Sequence, residues 1–115
     1  MNRQNTGRKG ENLAAMWLQQ HEFVLLERNW KARRKEIDLI ACKDHVLHFI
    51  EVKTRMGLGF GNPEEQVNGK KLYHLRIAAE EYLTQHPQWR RIQFDVLAIL
   101  LNGNFNTITF LEDVG

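Results

Sequence analysis

Residues 36–53 read EIDLIACKDHVLHFIEVK. Two alternating runs, Glu36–Cys42 and Val46–Lys53, flank Lys43-Asp44, which is the pattern of a β-hairpin. Charge intrudes on both strands. Glu36 and Asp38 stand among Ile37, Leu39 and Ile40, while Glu51 and Lys53 alternate with Ile50 and Val52. Period-two geometry puts Glu51 and Lys53 on one face and Val46, His48, Ile50 and Val52 on the other. With Lys43-Asp44 as a two-residue loop, Asp38 falls opposite Phe49 and Glu36 opposite Glu51. Asp38 and Glu51 then become diagonal neighbours, about 7–8 Å apart. Carboxylates so placed repel one another. A divalent cation would remove the conflict, and Lys53 would offset part of it. Hard oxygen ligands favour Mg²⁺ or Mn²⁺, because no thiolate and imidazole set accompanies them. The plain alternative is an exposed hairpin face of mixed charge. Against it, Leu39, Ile40, Leu47 and Phe49 make both faces of the hairpin largely apolar.

On either side of this hairpin the periodicity predicts a helix, three strands, a helix and two strands. The first helix runs from about 6–10 to Gln20, with Leu13, Met16 and Trp17 on one side and Ala14, Ala15 and Leu18 close by, after a polar and loose segment 1–9. Phe23–Leu26, extending toward Trp30, reads as a buried strand. The glycine-rich stretch MGLGFGN at 56–62 reads as a loop. Asn62-Pro63 with Glu65 resembles a helix start, which Asn68-Gly69 interrupts and restarts. Leu72, Leu75, Ala79 and Tyr82 or Leu83 recur at helical spacing. Ile92–Leu100 alternates as a strand, and a turn at Asn102-Gly103-Asn104 leads to a last strand near Thr107–Leu111. The second helix lets the fourth strand return parallel to the third. The expected fold is α/β, a mixed central sheet flanked by helices in one domain over 1–115.

Composition narrows the function classes. With 43% apolar and 26% charged residues in 115 and a formal charge of +2, the chain is an ordinary globular domain. One cysteine, Cys42, excludes an internal disulfide, and with no apolar leader the expected location is cytoplasmic. The longest apolar run, Val96–Leu101, is far short of the ~20 residues that span a bilayer, so no membrane partner is expected. Five of the eight positions from Arg28 to Lys35 are basic and none is acidic. Such a cluster suits a polyanion, or simply a solvated loop. His45 and His48 point to opposite strand faces and make poor joint ligands. His21, His74 and His86 read as solvated, and Trp17, Phe23, Trp30, Tyr82 and Phe94 read as core.

Asp38, followed across a hairpin by Glu51-Val52-Lys53, resembles the signature of the PD-(D/E)XK nuclease superfamily, with Ile37 in place of the proline. The chain is more closely similar to the bacterial YraN-like family. The matching stretches are Gly10-Glu11-Asn12-Leu13-Ala14, Asn29-Trp30, Glu36–Ile40, Phe49–Arg55, Phe60-Gly61 and Arg91–Val96. The resemblance implies a core related to restriction endonucleases and archaeal junction resolvases. It implies Asp38 and Glu51 as metal ligands, the Val52 carbonyl as a further one, and Lys53 as the group that orients water or stabilises charge on the phosphate. Glu11 resembles the additional acid that junction resolvases place beside the metal. Gln66 falls where RecB-like nucleases place a helical glutamine, and Glu36 is a secondary candidate. The implied activity is Mg²⁺- or Mn²⁺-dependent hydrolysis of DNA phosphodiesters, on branched or damaged DNA. Arg28, Lys31, Arg33, Arg34, Arg55, Lys70 and Lys71 would grip backbone phosphates. Junction resolvases work as dimers, so a homodimer is implied, although no stretch of the sequence marks a two-fold surface. The other reading is a nuclease-like module that binds DNA or a partner without turnover, including as a subunit of a larger DNA-processing assembly.

Overall fold

A computed structural model describes residues 3–33, 35–57 and 69–115. The elements follow the order α1 (Arg3–Gln20), β1 (Val24–Ala32), β2 (Lys35–Lys43), β3 (Val46–Met56), α2 (Gly69–Gln85), β4 (Ile92–Asn102) and β5 (Phe105–Leu111). The five strands form one sheet in the order β1-β2-β3-β4-β5. β3 and β4 are parallel, joined through α2, and every other neighbouring pair is antiparallel. The α/β class, the element order and the mixed sheet agree with expectation and are compatible with a restriction-endonuclease-like core. Helix α1 starts at Arg3, earlier than its apolar periodicity indicates. The expected helix start at Asn62-Pro63 and most of the glycine-rich stretch lie outside the described residues, whereas α2 begins at Gly69, where a restart is expected.

The helices cover opposite faces of the sheet. Ala14, Ala15 and Leu18 of α1 pack with Leu39, Ala41, Ile50, Leu97, Ile99 and Leu101. Leu75, Ala78, Ala79 and Tyr82 of α2, spaced three and four apart, pack with Ile37, Ile40, Leu47 and Phe49. Successive strand residues such as Leu39 and Ile40 therefore enter different cores. Each fully buried Leu, Ile or Phe contributes about 1.5–3 kcal/mol, and this apolar surface outweighs the modest propensity of the helices. β4 is buried on both faces from Val96 to Ile99, as befits a strand with a parallel neighbour. Both helices end alike. His21 and His86 place Nδ1 against the carbonyls of Trp17 and Tyr82, at 2.8 and 3.0 Å, and stack on those same rings. Each thus satisfies a carbonyl of the last turn, His21 from an exposed position, as expected, and His86 from a half-buried one.

The hairpin turn corrects one expectation. The two-residue loop is Asp44-His45, both with positive φ (53° and 66°), and Lys43 pairs with Val46 inside the strands. A two-residue turn of this kind needs left-handed backbone at both central positions, and its twist matches the strands it joins. The register therefore shifts by two residues from the one that Lys43-Asp44 would impose. Because the shift is even, side-chain parity survives.

Gly10 is where α1 meets β3. A Cβ there would lie 1.9 Å from Thr54 Oγ1 and 2.9 Å from Thr54 Cβ, and a β-branched strand residue has little room to turn away. Gly10→Ala is therefore expected to destabilise the fold by about 1–3 kcal/mol, and Thr54→Ala to recover part of that loss. Urea unfolding of the two single variants and the double variant measures both.

Candidate functional site

The β2–β3 ladder ends at Leu39 and Ile50. One step further, Asp38 comes beside Glu51, rather than diagonal to it as the other register would have it. Glu36 is carried away from Glu51 and pairs with Lys31 on β1. At this point β3 continues along β4 as far as Met56 while β2 parts from it. Asp38 fills the gap with its side chain, its Oδ2 accepting the Val52 N–H at 2.8 Å. In a strand the N–H and C=O of one residue face the same neighbour. The Val52 carbonyl thus points to the Asp38 side as well.

Four acids meet around this gap. Burial pushes the Asp38 carboxyl up to about 7. The Val52 hydrogen bond opposes the rise, and the negative charges of Glu11, Glu51 and Glu36 add to it. Lys53 is 5% exposed. Its Nζ lies 3.4 Å from Glu51 Oε1, a buried ammonium next to a half-buried carboxylate. Glu11 reaches the site from α1, whose approach depends on the close contact at Gly10. Asn29 joins the two outer acids. With its amide oriented to match its neighbours, the nitrogen donates to Glu36 Oε1 at 2.8 Å and to Glu11 Oε2 at 3.3 Å. Asn29 takes φ 51° in the middle of β1, a conformation that asparagine tolerates better than most residues. Its neighbour Arg28 donates to Asn12 Oδ1 at 2.7 Å, tying β1 to the middle of α1.

Asp38, Glu51, Val52, Lys53, Glu11 and Glu36 are thus gathered into one locality. Among the described residues, no three carboxylate, imidazole or thiolate groups already stand in a cation-holding arrangement. Asp38 is turned to the Val52 amide and Glu51 to Lys53. The donor set nevertheless suits a small hard cation: two carboxylates and a carbonyl leave room for the waters that Mg²⁺ keeps. The basic residues divide. Arg28 and Lys31 lie on β1 beside the acids. Arg55, on β3, donates to the Thr54 carbonyl at 3.0 Å. Arg33 and Lys35 instead line a cavity of about 500 Å³ against Ile77, Glu80, Glu81 and Thr84 of α2. Gln66 and Arg34 lie outside the described residues, as do the side chains of Lys70 and Lys71 in the first turn of α2.

Two groups escape the sequence patterns. Asn29 gives no signal of a site role in the sequence, because a left-handed strand residue leaves no periodic trace. His48 and Asp95 form a buried pair on the α1 side, with Nδ1–H donating to Oδ2 at 2.6 Å. Asp95 Oδ1 also accepts from Gln93 Nε2 and from the backbone of Asp113, which holds the C-terminal segment to β4. The clue is a lone acid inside the apolar run of β4.

The chain matches the sequence profile described as "Uncharacterised protein family UPF0102" over residues 10–99. A UPF0102 protein of Caldicellulosiruptor bescii is 40% identical over 117 aligned positions, covering 98% of each chain. A UPF0102 protein of Rhodococcus opacus is 44% identical over 96, covering 83% of this chain and 81% of that one. A third, from Dictyoglomus thermophilum, is 41% identical over 103, covering 89% and 87%.

Proposed function

The chain belongs to the UPF0102 family, the YraN-like family that its motifs resemble, and from that premise we propose that it is a divalent-cation-dependent nuclease acting on DNA. The observation that carries this reading is the Asp38 carboxyl, held by the Val52 amide and raised in pKa amid Glu11, Glu36 and Glu51, with buried Lys53 alongside. Crowded acids of this kind disfavour the ligand-free state, and a site that gains from a bound cation is the expected counterpart.

Asp38, Glu51 and the Val52 carbonyl would hold Mg²⁺ or Mn²⁺, with Glu11 completing the set through water or directly. The cation supplies a Lewis acid that neutralises phosphate charge and brings the pKa of a bound water toward neutrality. The protein's residues do the rest. Lys53, fixed by its burial and by Glu51, presents positive charge where the phosphate becomes more negative and costs no reorganisation when it does. Asn29 spaces Glu11 from Glu36. Arg28, Lys31 and Arg55 contact backbone phosphates, which positions a duplex without reading its sequence.

The test incubates pure protein with linear, nicked, flapped and four-way DNA in Mg²⁺ or Mn²⁺. Cleavage of at least one substrate that EDTA stops and Asp38→Ala abolishes is the expected result. Salt-sensitive binding of all four without cleavage, unchanged in Asp38→Ala, would replace the nuclease with a DNA-binding module. Among the described residues no helix is long and apolar enough to cross a membrane.

A further inference from the structure

The sheet has two outer edges, and they are guarded unequally. β1 carries Glu27, Arg28 and Lys31, a register shift between Leu25 and Glu27, and left-handed Asn29. Charges and bulges of this sort keep an edge from pairing with another chain. β5 reads FNTITFL, without a charge or a proline. It pairs with β4 in unbroken register from Asn102–Phe105 to Val96–Leu111, and no described strand lies on its outer side. The uncharged tract extends from Val96 to Leu111. We propose that β5 pairs antiparallel with β5 of a second copy, about a two-fold axis at Ile108, so that two five-stranded sheets become one.

The hairpin sets which groups are available. Asn102 and Phe105 close a two-residue turn in which Gly103 has φ 59°. Phe105, Thr107, Thr109 and Leu111 therefore bond toward β4, while Asn106, Ile108 and Phe110 turn their N–H and C=O groups outward. Read from Ile108 in either direction, the strand meets threonine first. A two-fold at Ile108 places Ile108 against itself, Thr107 against Thr109 of the second copy, and Asn106 against Phe110. Phe105, 79% exposed in the single chain, comes onto Leu111 of the second copy, an aromatic–aliphatic pair of the kind that stabilises adjoining strands. The first charged residue, Glu112, falls beside the Asn104 turn of the other copy, so no like charges meet. The centre of the strand, Thr107-Ile108-Thr109, reads alike in both directions, and this favours a second copy over an unrelated peptide, because an isologous contact needs a patch that complements itself. An edge-to-edge contact buries less than a standard interface, so the dimer is expected to dissociate in the micromolar range. This inference is independent of the nuclease reading.

Sedimentation of the native chain across the micromolar range should show a shift from 13.6 kDa to twice that mass. Thr107 and Thr109 are exposed, so charged replacements there leave the core intact. The double variant Thr107→Lys/Thr109→Lys and the double variant Thr107→Glu/Thr109→Glu should each stay monomeric, and an equimolar mixture should recover the dimer. Hydrogen exchange at the Asn106, Ile108 and Phe110 amides should slow as the native dimer forms. A native chain that stays monomeric up to about ten times the micromolar range overturns the proposal, as does a dimer that survives either charged pair.

Discussion

Asp38→Asn is expected to make the metal-free protein more stable above neutral pH and to flatten its stability profile between about pH 4 and 7. The Asp38 carboxyl moves from an ordinary 3.8 to about 7 in the folded chain, mainly through burial. Between those values the folded chain holds a proton that the unfolded chain has released. Stability is therefore fully present below the unfolded pKa, falls as pH rises, and levels off once the folded carboxyl has ionised. The loss is on the order of 4 kcal/mol across the window. Asparagine still offers an oxygen to the Val52 N–H and has no proton to lose. A cation acts against the same loss, since it binds the ionised form. Mg²⁺ should therefore raise the melting temperature of the native protein at pH 8 and leave Asp38→Asn unmoved. Its affinity should climb by up to tenfold per pH unit below about 7 and level off above. Thermal melts from pH 4 to 8, with and without Mg²⁺, measure all of this. Parallel profiles for the native chain and the variant would refute the assignment of Asp38.

Lys53→Met is expected to lower cation-dependent cleavage at least 100-fold, the magnitude associated with removing a preorganised charge from a developing anion. Methionine keeps most of the buried side-chain volume. DNA affinity measured without divalent cations should change less than tenfold, because exposed Arg28 and Lys31 are left to meet the phosphates. Lys53→Arg should also fail. A guanidinium is larger and planar, and a residue that is 5% exposed and 3.4 Å from Glu51 has little space for it. Cleavage within threefold of native in Lys53→Met would remove the lysine from the chemistry and return it to a structural ion pair.

The fold was largely legible because its causes are local. Alternation along Glu36–Lys53 and Ile92–Leu100, and the three-and-four spacing from Leu75 to Tyr82, carry the faces that become the two cores. The acids, too, stood out as charges interrupting apolar strands. What stayed hidden depends on contacts across the chain. The anchor of α1 at Gly10 depends on Thr54, and the His48–Asp95 pair joins residues 47 positions apart.

The register of the hairpin marks the dividing line. Periodicity put Asp38, Glu51 and Lys53 into neighbouring strands with the right parity, and parity is unchanged by an even slip. Which residues face each other depends on the backbone of two turn residues, Asp44 and His45, whose left-handed φ values leave no hydrophobic pattern. Likewise, the raised Asp38 pKa and its grip on Val52 arise where β2 leaves β3 and where Glu11 and Asn29 arrive from other elements. Residue order supplied the groups and their faces; folding set the distances and burial that turn four acids and a lysine into one coupled cluster, since charge interactions depend on separation and solvent exclusion.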